Sequence, residues 1–382
     1  MRPSSIASVP QTPLQIPPGL QRYPIRKRDL LQAWDSADEL ILQYLSGTLG
    51  SVPPGPDLTG QRLVILNDAF GALASSLESF QPSTYNDSFV SHQATAINSA
   101  GRLKTLHQLS DLTGHYDLAI IKIPKNMSFF EDELCHLTAH LRPGARVVCG
   151  AMVKHLAKSS FDLLAQYIGT TSTSLAQKKA RLIFAAFEKS TASSPYPIQV
   201  PIESFTRPFV HHANLFSREK LDLGTRFFLQ HIPRGQFARI LDLGCGNGVV
   251  GLAALRLHPE AQVVFCDDSA QALLSAEANY KALHPGRESQ AQWIWTNCFE
   301  NQTADAFDLI LCNPPFHQQS TVGDFVARQM FTDARHALRP GGQIRVIGNT
   351  HLDYPGTLRR LFGSVTVVAK NSKFTICDGI KT

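Results

Sequence analysis

No stretch of the chain approaches the roughly 18 uninterrupted apolar residues that a membrane-spanning helix needs. The first twenty residues, with Pro3, Pro10, Pro13, Pro17 and Pro18, lack the apolar run of a signal peptide or anchor. Paired cysteines are missing too: the seven, at positions 135, 149, 245, 266, 298, 312 and 377, form no Cys-x-x-Cys and repeat no spacing. That excludes a disulfide framework, and a reducing, cytoplasmic setting is expected. The same lack of local pairs argues against structural zinc, although Cys245, Cys266, Cys298 and Cys312 fall near strand ends. They are expected to be small buried apolar residues, with no metal. A dominant charge is also absent: 36 Lys and Arg against 31 Asp and Glu leave +5, which permits a nucleic-acid partner without arguing for one.

What the chain has is apolar material. Over 382 residues, 43% are hydrophobic and 18% charged, enough to bury two or three cores. A proline-rich and basic tail, 1–28, includes Arg22, Arg26, Lys27 and Arg28. The spacing of Leu30, Trp34, Ala37 and Ile41 predicts a helix opened by Asp29 as its cap. Strand-like runs then alternate with helical patterns, first over 29–188 and again over 206–382, with a serine- and proline-rich linker, 189–205, between them. Such alternation predicts α/β units, each with a parallel sheet covered on both faces. The halves also resemble each other. Asp117-Leu118-Ala119-Ile120 parallels Asp308-Leu309-Ile310-Leu311, and Leu141-Arg142-Pro143-Gly144 parallels Leu338-Arg339-Pro340-Gly341, the latter pair read as helix ends before a strand. A duplicated domain follows.

In the second half, Ile240-Leu241-Asp242-Leu243-Gly244-Cys245-Gly246-Asn247-Gly248 runs from a strand through a turn into a helix. Glycines at 244, 246 and 248 allow the backbone to turn sharply and a ligand to approach it. After the next strand, Asp267 or Asp268 is placed to accept both hydroxyls of a ribose at the carboxyl ends of the strands. Gly246 to Gly251 also spells G-x-G-x-x-G, the dinucleotide fingerprint, which alone is weak. An acid at 242 ahead of the glycines favours a cofactor with a positive amino or sulfonium group over a diphosphate. Asn297, closing a later strand, has an amide suited to an adenine edge or to satisfying its own turn.

Leu309-Ile310-Leu311-Cys312-Asn313-Pro314-Pro315-Phe316-His317 is the most informative segment. Two prolines fix the backbone and remove two donors, leaving carbonyls, including that of Pro314, as rigid acceptors beside the Asn313 amide oxygen. Such a pocket holds an amino group with its lone pair turned toward an incoming methyl. Phe316 offers a face for a planar base, worth roughly 1–3 kcal/mol. The expected chemistry is in-line displacement by an exocyclic amine, driven by positioning and desolvation.

The Asp-x-Gly-x-Gly-x-Gly segment resembles motif I of class I S-adenosylmethionine-dependent methyltransferases, and Asn313 to Phe316 resembles the signature of those that act on planar amines. Phe316-His317, Phe216-Ser217-Arg218 ahead of Leu221-Asp222-Leu223-Gly224, and the tandem layout resemble the bacterial ribosomal RNA guanine-N2 methyltransferases. Members of that family carry an inactive N-terminal and an active C-terminal copy of one Rossmann-like fold. Cys312 to Gln319, Leu66 to Leu73 and His351-Leu352-Asp353-Tyr354 look closest to the branch that acts on 23S rRNA. The resemblance spans the chain from about Leu30. It implies S-adenosylmethionine held near Asp242, Gly244, Gly246, Gly248, Asp267 and Asn297, with Phe216, Asp222 and Gly224 closing its pocket. It implies the target amine at Asn313, Pro314, Pro315 and Phe316. The small-subunit branch, adenine N6 or protein glutamine amines, and a non-catalytic RNA-binding assembly factor are the alternatives.

In the first half, Asn67-Asp68-Ala69-Phe70-Gly71 stands where the glycine turn would be, and Lys122-Ile123-Pro124-Lys125 where Asn-Pro-Pro-Phe would be. Both changes remove chemistry. This half is expected to grip RNA backbone through Lys122, Lys125, Lys178, Lys179 and Arg181, with Arg22 to Arg28 as further candidates. A monomer working on ribosomal RNA, without a membrane, is the expected state.

Overall fold

The computed structural model describes residues 14–26, 29–50, 52–315 and 321–382. Phe316, His317, Lys27, Arg28 and the first thirteen residues lie outside the described residues. The chain divides into two units between Ser194 and Pro195.

The first unit has strands β1 (Leu63–Leu66), β2 (Ser83–Tyr85), β3 (Thr105–Leu106), β4 (Tyr116–Lys122), β5 (Leu141–Met152), β6 (Ser172–Thr173) and β7 (Ala180–Ala186). They form one sheet in the order β3-β2-β1-β4-β5-β7-β6, parallel except where β7 runs against β5 and β6. Its helices are α1 (Ser36–Leu45), α2 (Ala72–Ser76), α3 (Phe89–Asn98), α4 (Met127–Thr138) and α5 (Lys158–Tyr167). Central strands such as Leu63-Val64-Ile65-Leu66 are buried on both faces, which is why they are continuously apolar rather than alternating. Val64 and Leu66 pack into the core on one side, Leu63 and Ile65 into that on the other.

The second unit opens with a ribbon, β8 (Ile198–Val200) and β9 (Phe209–His211), followed by β10 (Arg239–Leu243), β11 (Gln262–Asp267), β12 (Ala291–Trp295), β13 (Phe307–Cys312), β14 (Leu338–Asn349), β15 (Val365–Lys370) and β16 (Phe374–Ile380). The sheet order, β12-β11-β10-β13-β14-β16-β15, repeats that of the first unit strand for strand. The helices are α6 (Leu223–Leu229), α7 (Val249–Leu257), α8 (Ala270–Leu283), α9 (Thr321–Ala337) and α10 (Tyr354–Phe362).

The repeat reaches individual side chains. Asp117 accepts the Arg62 N–H at 2.9 Å, and Asp308 accepts that of Arg239 at 2.8 Å. The Arg62 guanidinium lies 5.1 Å from the Tyr116 ring centroid, and Arg239 lies 5.1 Å from that of Phe307. Two expectations are corrected. The Leu-Arg-Pro-Gly segments are not helix ends but the bulged beginnings of β5 and β14: Leu141 pairs with Tyr116 and Leu338 with Phe307, each before a register shift. Left-handed glycines, Gly144 at φ 76° and Gly341 at φ 77°, absorb the extra residues. The first helix starts at Ser36 rather than after Asp29. Asp35 caps it, in a capping box with Asp38, while Leu30 stays 94% exposed. Asp29 caps only a local turn, accepting the Leu31 N–H. Part of the expected tail is docked as well: the Leu14 N–H donates to Ser46, and the Gln21 N–H to Asn98.

Candidate active site

The glycine turn leaves β10 at the carboxyl edge of the second sheet, between β11 and β13. Its backbone is fastened from beneath: the Gly244 and Cys245 N–H groups both donate to the Cys266 carbonyl at 2.9 Å. Gly248, at φ 79°, opens α7 against α8, and a Cβ there would lie 3.0 Å from that of Ala276. Gly246, at φ 53°, faces open space, with nothing within 4 Å of where a Cβ would stand. That opening is where a ligand can meet the main chain.

Two carboxylates support the turn. Buried Asp242 accepts the Gly251 N–H at 2.7 Å, so it also ties β10 to the first turn of α7. Burial, with a smaller push from the Asp267 charge, raises its carboxyl to about 8. Asp267 ends β11 and accepts the Gly246 N–H at 2.9 Å and the Ser269 N–H at 3.0 Å. Burial raises it as well, against those two bonds. Asn297 is buried, and its amide donates to Glu300 at 2.9 Å.

The segment ahead of β10 is anchored to the same turn. Asn247 accepts the Val249 N–H at 3.1 Å, which turns its Nδ2 toward His211 at 2.7 Å. His211 therefore accepts at Nε2 and donates from Nδ1 to the Arg218 carbonyl at 2.6 Å. Burial, helped by the Arg218 charge, holds this ring below the usual histidine range. The expected pocket-closing residues have other local roles. Asp222 caps α6, accepting the Gly224 and Thr225 N–H groups at 2.9 and 3.1 Å. Gly224 admits Phe374, whose ring would stand 3.0 Å from a Cβ. Phe216 projects into solvent at 79% exposure.

Asn313 follows β13 directly. Its Nδ2 donates to Thr225 Oγ1 at 3.0 Å, and its Oδ1 is buried with no partner among the described residues. Pro314 is buried beside it and Pro315 exposed. A buried acceptor left unmade is costly, and this one lies on the same sheet edge as the Gly246 opening. The Thr225 contact escaped the sequence reading because 88 residues separate the partners; only its place three residues after a capping Asp was visible.

Register aligns the first unit to this site position by position. Leu66 pairs with Ile121 as Leu243 does with Cys312, so Asn67 stands for Gly244, Asp68 for Cys245 and Lys122 for Asn313. Asn67 keeps the left-handed turn at φ 64°. Asp68 fills the turn, accepting the Ala72 and Ala74 N–H groups at 3.0 and 2.8 Å. Its own burial and the Asp38 charge push it up to about 7. Lys122 is not available to RNA, contrary to expectation. Its Nζ lies 2.7 Å from Asp35 and 2.6 Å from Asp38, with 15% of the side chain exposed. Burial opposes its charge, but the two carboxylates outweigh that and hold the ammonium above its ordinary value. Arg22 is likewise engaged, stacked 5.1 Å from the Phe70 ring centroid.

The other cations differ. Lys125, Lys178 and Lys179 are exposed and Arg181 half-buried, its Nε without a partner among the described residues. Lys178 pairs with Glu39 at 2.7 Å on the surface. Among the described residues no group of three His, Cys, Asp or Glu is placed to hold a metal. None of the described helices is long and apolar enough to cross a membrane.

Residues 12–189 match the model of the RLMG N-terminal domain, and residues 206–378 that of the methyltransferase small domain. The first match begins well before Leu30, in keeping with the docked segment there. The chain is 40% identical to the ribosomal RNA large subunit methyltransferase G of Pseudoalteromonas translucida over 95% of both proteins. It is 41% identical to that of Aeromonas salmonicida, over 95% of this chain and 96% of the relative. For that of Pseudomonas aeruginosa the figures are 42%, 94% and 96%. Its fold is that of a T. thermophilus 16S rRNA N2 methyltransferase solved with AdoMet and guanosine, at a TM-score of 0.75 and 23% identity over 91% of this chain and 92% of that one. The chain belongs to the ribosomal RNA large subunit methyltransferase G family.

Proposed function

We propose that the second unit transfers a methyl group from S-adenosylmethionine to the exocyclic N2 amine of a guanine in 23S ribosomal RNA, and that the first unit holds the RNA. The observation that carries this reading is the buried Oδ1 of Asn313, unpartnered among the described residues. An acceptor in that state fits an amine N–H, and a second acceptor follows in the backbone of Pro314 and Pro315, which donate nothing. With both amine hydrogens held, the nitrogen lone pair is left to face the methyl.

The residues present fit the cofactor. Gly246 leaves its main chain open, Asp267 ends β11 where a ribose is held in such sheets, and Asp242 lies beneath the turn with Gly244 and Gly248. When bound, S-adenosylmethionine supplies an electrophilic methyl on a sulfonium. Asp242 favours that positive charge, and a carboxyl raised to about 8 is stabilised as carboxylate when a cation arrives. Asn297 borders the adenine end, Phe216 and Phe316 supply faces for planar groups, and Asp222 and Gly224 set the start of α6 beside Asn313.

In the first unit the same edge is closed by Lys122, Asp35, Asp38 and Asp68, which leaves it a role in binding. Lys125, Lys178, Lys179 and Arg181 are its proposed phosphate contacts. Every proposed catalytic contact lies within residues 206–382 of one chain, which is compatible with the proposed working form, a monomer in the cytoplasm. The test is labelled methyl transfer to protein-free 23S rRNA by the wild type and Asn313→Ala. Loss of transfer with cofactor binding retained is expected; full transfer by the variant refutes the pocket.

A further inference from the structure

Resting on that reading of Asn313, we infer that Thr225 is a positioning residue that sets which end of the Asn313 amide meets the target amine. A side-chain amide presents an oxygen or an NH₂ by turning over about one bond. Only the oxygen accepts from an amine, and an NH₂ in its place sets donor against donor. The Thr225 hydroxyl oxygen accepts from Nδ2 at 3.0 Å, so the NH₂ is engaged and Oδ1 is the atom left over. A hydroxyl can accept from the NH₂ or donate to the oxygen; in the structure it accepts, and Thr225 is held firmly in the place from which it does so. It is buried, β-branched and stiff at χ1, and its own N–H is held at 3.1 Å by the Asp222 carboxylate that caps α6. A line of fixed contacts thus runs from Asp222 through Thr225 to Asn313.

The first unit carries the same contact with its chemistry exchanged. Asp35 caps α1 as Asp222 caps α6. Asp38 is the third residue after that cap, as Thr225 is after Asp222, and it touches Lys122, the position equivalent to Asn313, at 2.6 Å. Both copies keep this contact between the third residue of the helix and the end of the fourth strand of each seven-stranded sheet, counted in chain order. In one it is a neutral hydrogen bond that leaves a free acceptor; in the other an ion pair leaves none. The strand-end residue decides whether an acceptor exists at all, since Lys122 has none and Asn313 has Oδ1, and the third helix residue holds whichever side chain stands there.

The experiment compares wild type, Thr225→Val, Thr225→Ser, Thr225→Ala and Asn313→Ala as full chains, measuring steady-state methylation of 23S rRNA, S-adenosylmethionine binding by calorimetry, and thermal melting. Valine keeps the shape and removes the hydroxyl. Its kcat is expected to fall about ten- to hundredfold, the size of one buried hydrogen-bonding group left unmatched, with cofactor Kd unchanged. Serine is expected to restore most of the rate. Wild-type kcat in Thr225→Val, or a serine variant as slow as valine, overturns the inference. If valine lowers Tm, the serine-to-alanine kcat ratio at 225 gives the same reading: a ratio of about ten or more supports the inference, and a ratio near one overturns it. Full transfer by Asn313→Ala instead overturns the proposed function, so the two failures are distinct.

Discussion

Lys178 and Lys179 form a two-residue turn between Gln177 and Ala180, closed by reciprocal backbone bonds of 2.9 and 2.8 Å. Both lysines are left-handed, at φ 46° and 63°, a conformation that Asn and Gly adopt with far less strain. Replacing them, Lys178→Asn with Lys179→Gly, relieves about 2 kcal/mol of strain, roughly 1 kcal/mol for each left-handed lysine. The lost Lys178 pair with Glu39 is exposed and worth at most about 1 kcal/mol. The net gain is about 1–2 kcal/mol, or roughly 2–8 °C in the melting of a unit of this size. The same change removes two proposed phosphate contacts, so RNA affinity falls and the slope of log K against log salt shrinks by about 1–2. Stability and binding are thus expected to move in opposite directions, read by calorimetric melting and a salt titration of RNA binding. Stabilisation with unchanged affinity and slope refutes the RNA assignment; no stabilisation refutes the strain reasoning.

Asp267→Ala is expected to abolish measurable cofactor binding in calorimetry, because both its proposed ribose contact and its hold on Gly246 and Ser269 are lost; retained affinity contradicts the proposed contact. Cofactor affinity is expected to rise as pH climbs toward 8, by up to about tenfold per unit, since the cation favours ionised Asp242 and binding releases its proton. Asp242→Asn should flatten that dependence, and a flat wild-type profile contradicts it. His211 is held neutral, with its folded value below the unfolded one, so its contribution to stability is present above about pH 6.5 and lost on acidification. As pH falls from about 7 to 5 the wild type should therefore lose stability relative to His211→Gln, against a background in which the raised Asp242 carboxyl stabilises the same unit on acidification; identical pH dependence in the two proteins sinks the idea.

The fold was largely readable from periodicity, because buried parallel strands leave continuous apolar runs and the two halves repeat at Asp117 and Asp308. The Leu-Arg-Pro-Gly segments were misread because a proline and a glycine after leucine mark a helix end as readily as a bulge, and only pairing with Tyr116 and Phe307 separates the two. Asp29 precedes the apolar spacing as a cap would, but the Asp35–Asp38 box is the stronger signal. In the site, Asp242, Asp267 and Asn313 fall on the expected strand ends, since motif and strand are contiguous in sequence. Thr225 beneath Asn313, and Asp35 and Asp38 around Lys122, were not legible. Each joins segments far apart in the chain, and a lysine's charge says nothing about whether a carboxylate already holds it.

The most direct test of the account is to map the labelled methyl group after incubation of the protein with protein-free 23S rRNA and S-adenosylmethionine. A single labelled nucleoside, N2-methylguanosine, absent with Asn313→Ala, is the expected result. Label on adenine N6, on protein, or nowhere contradicts it.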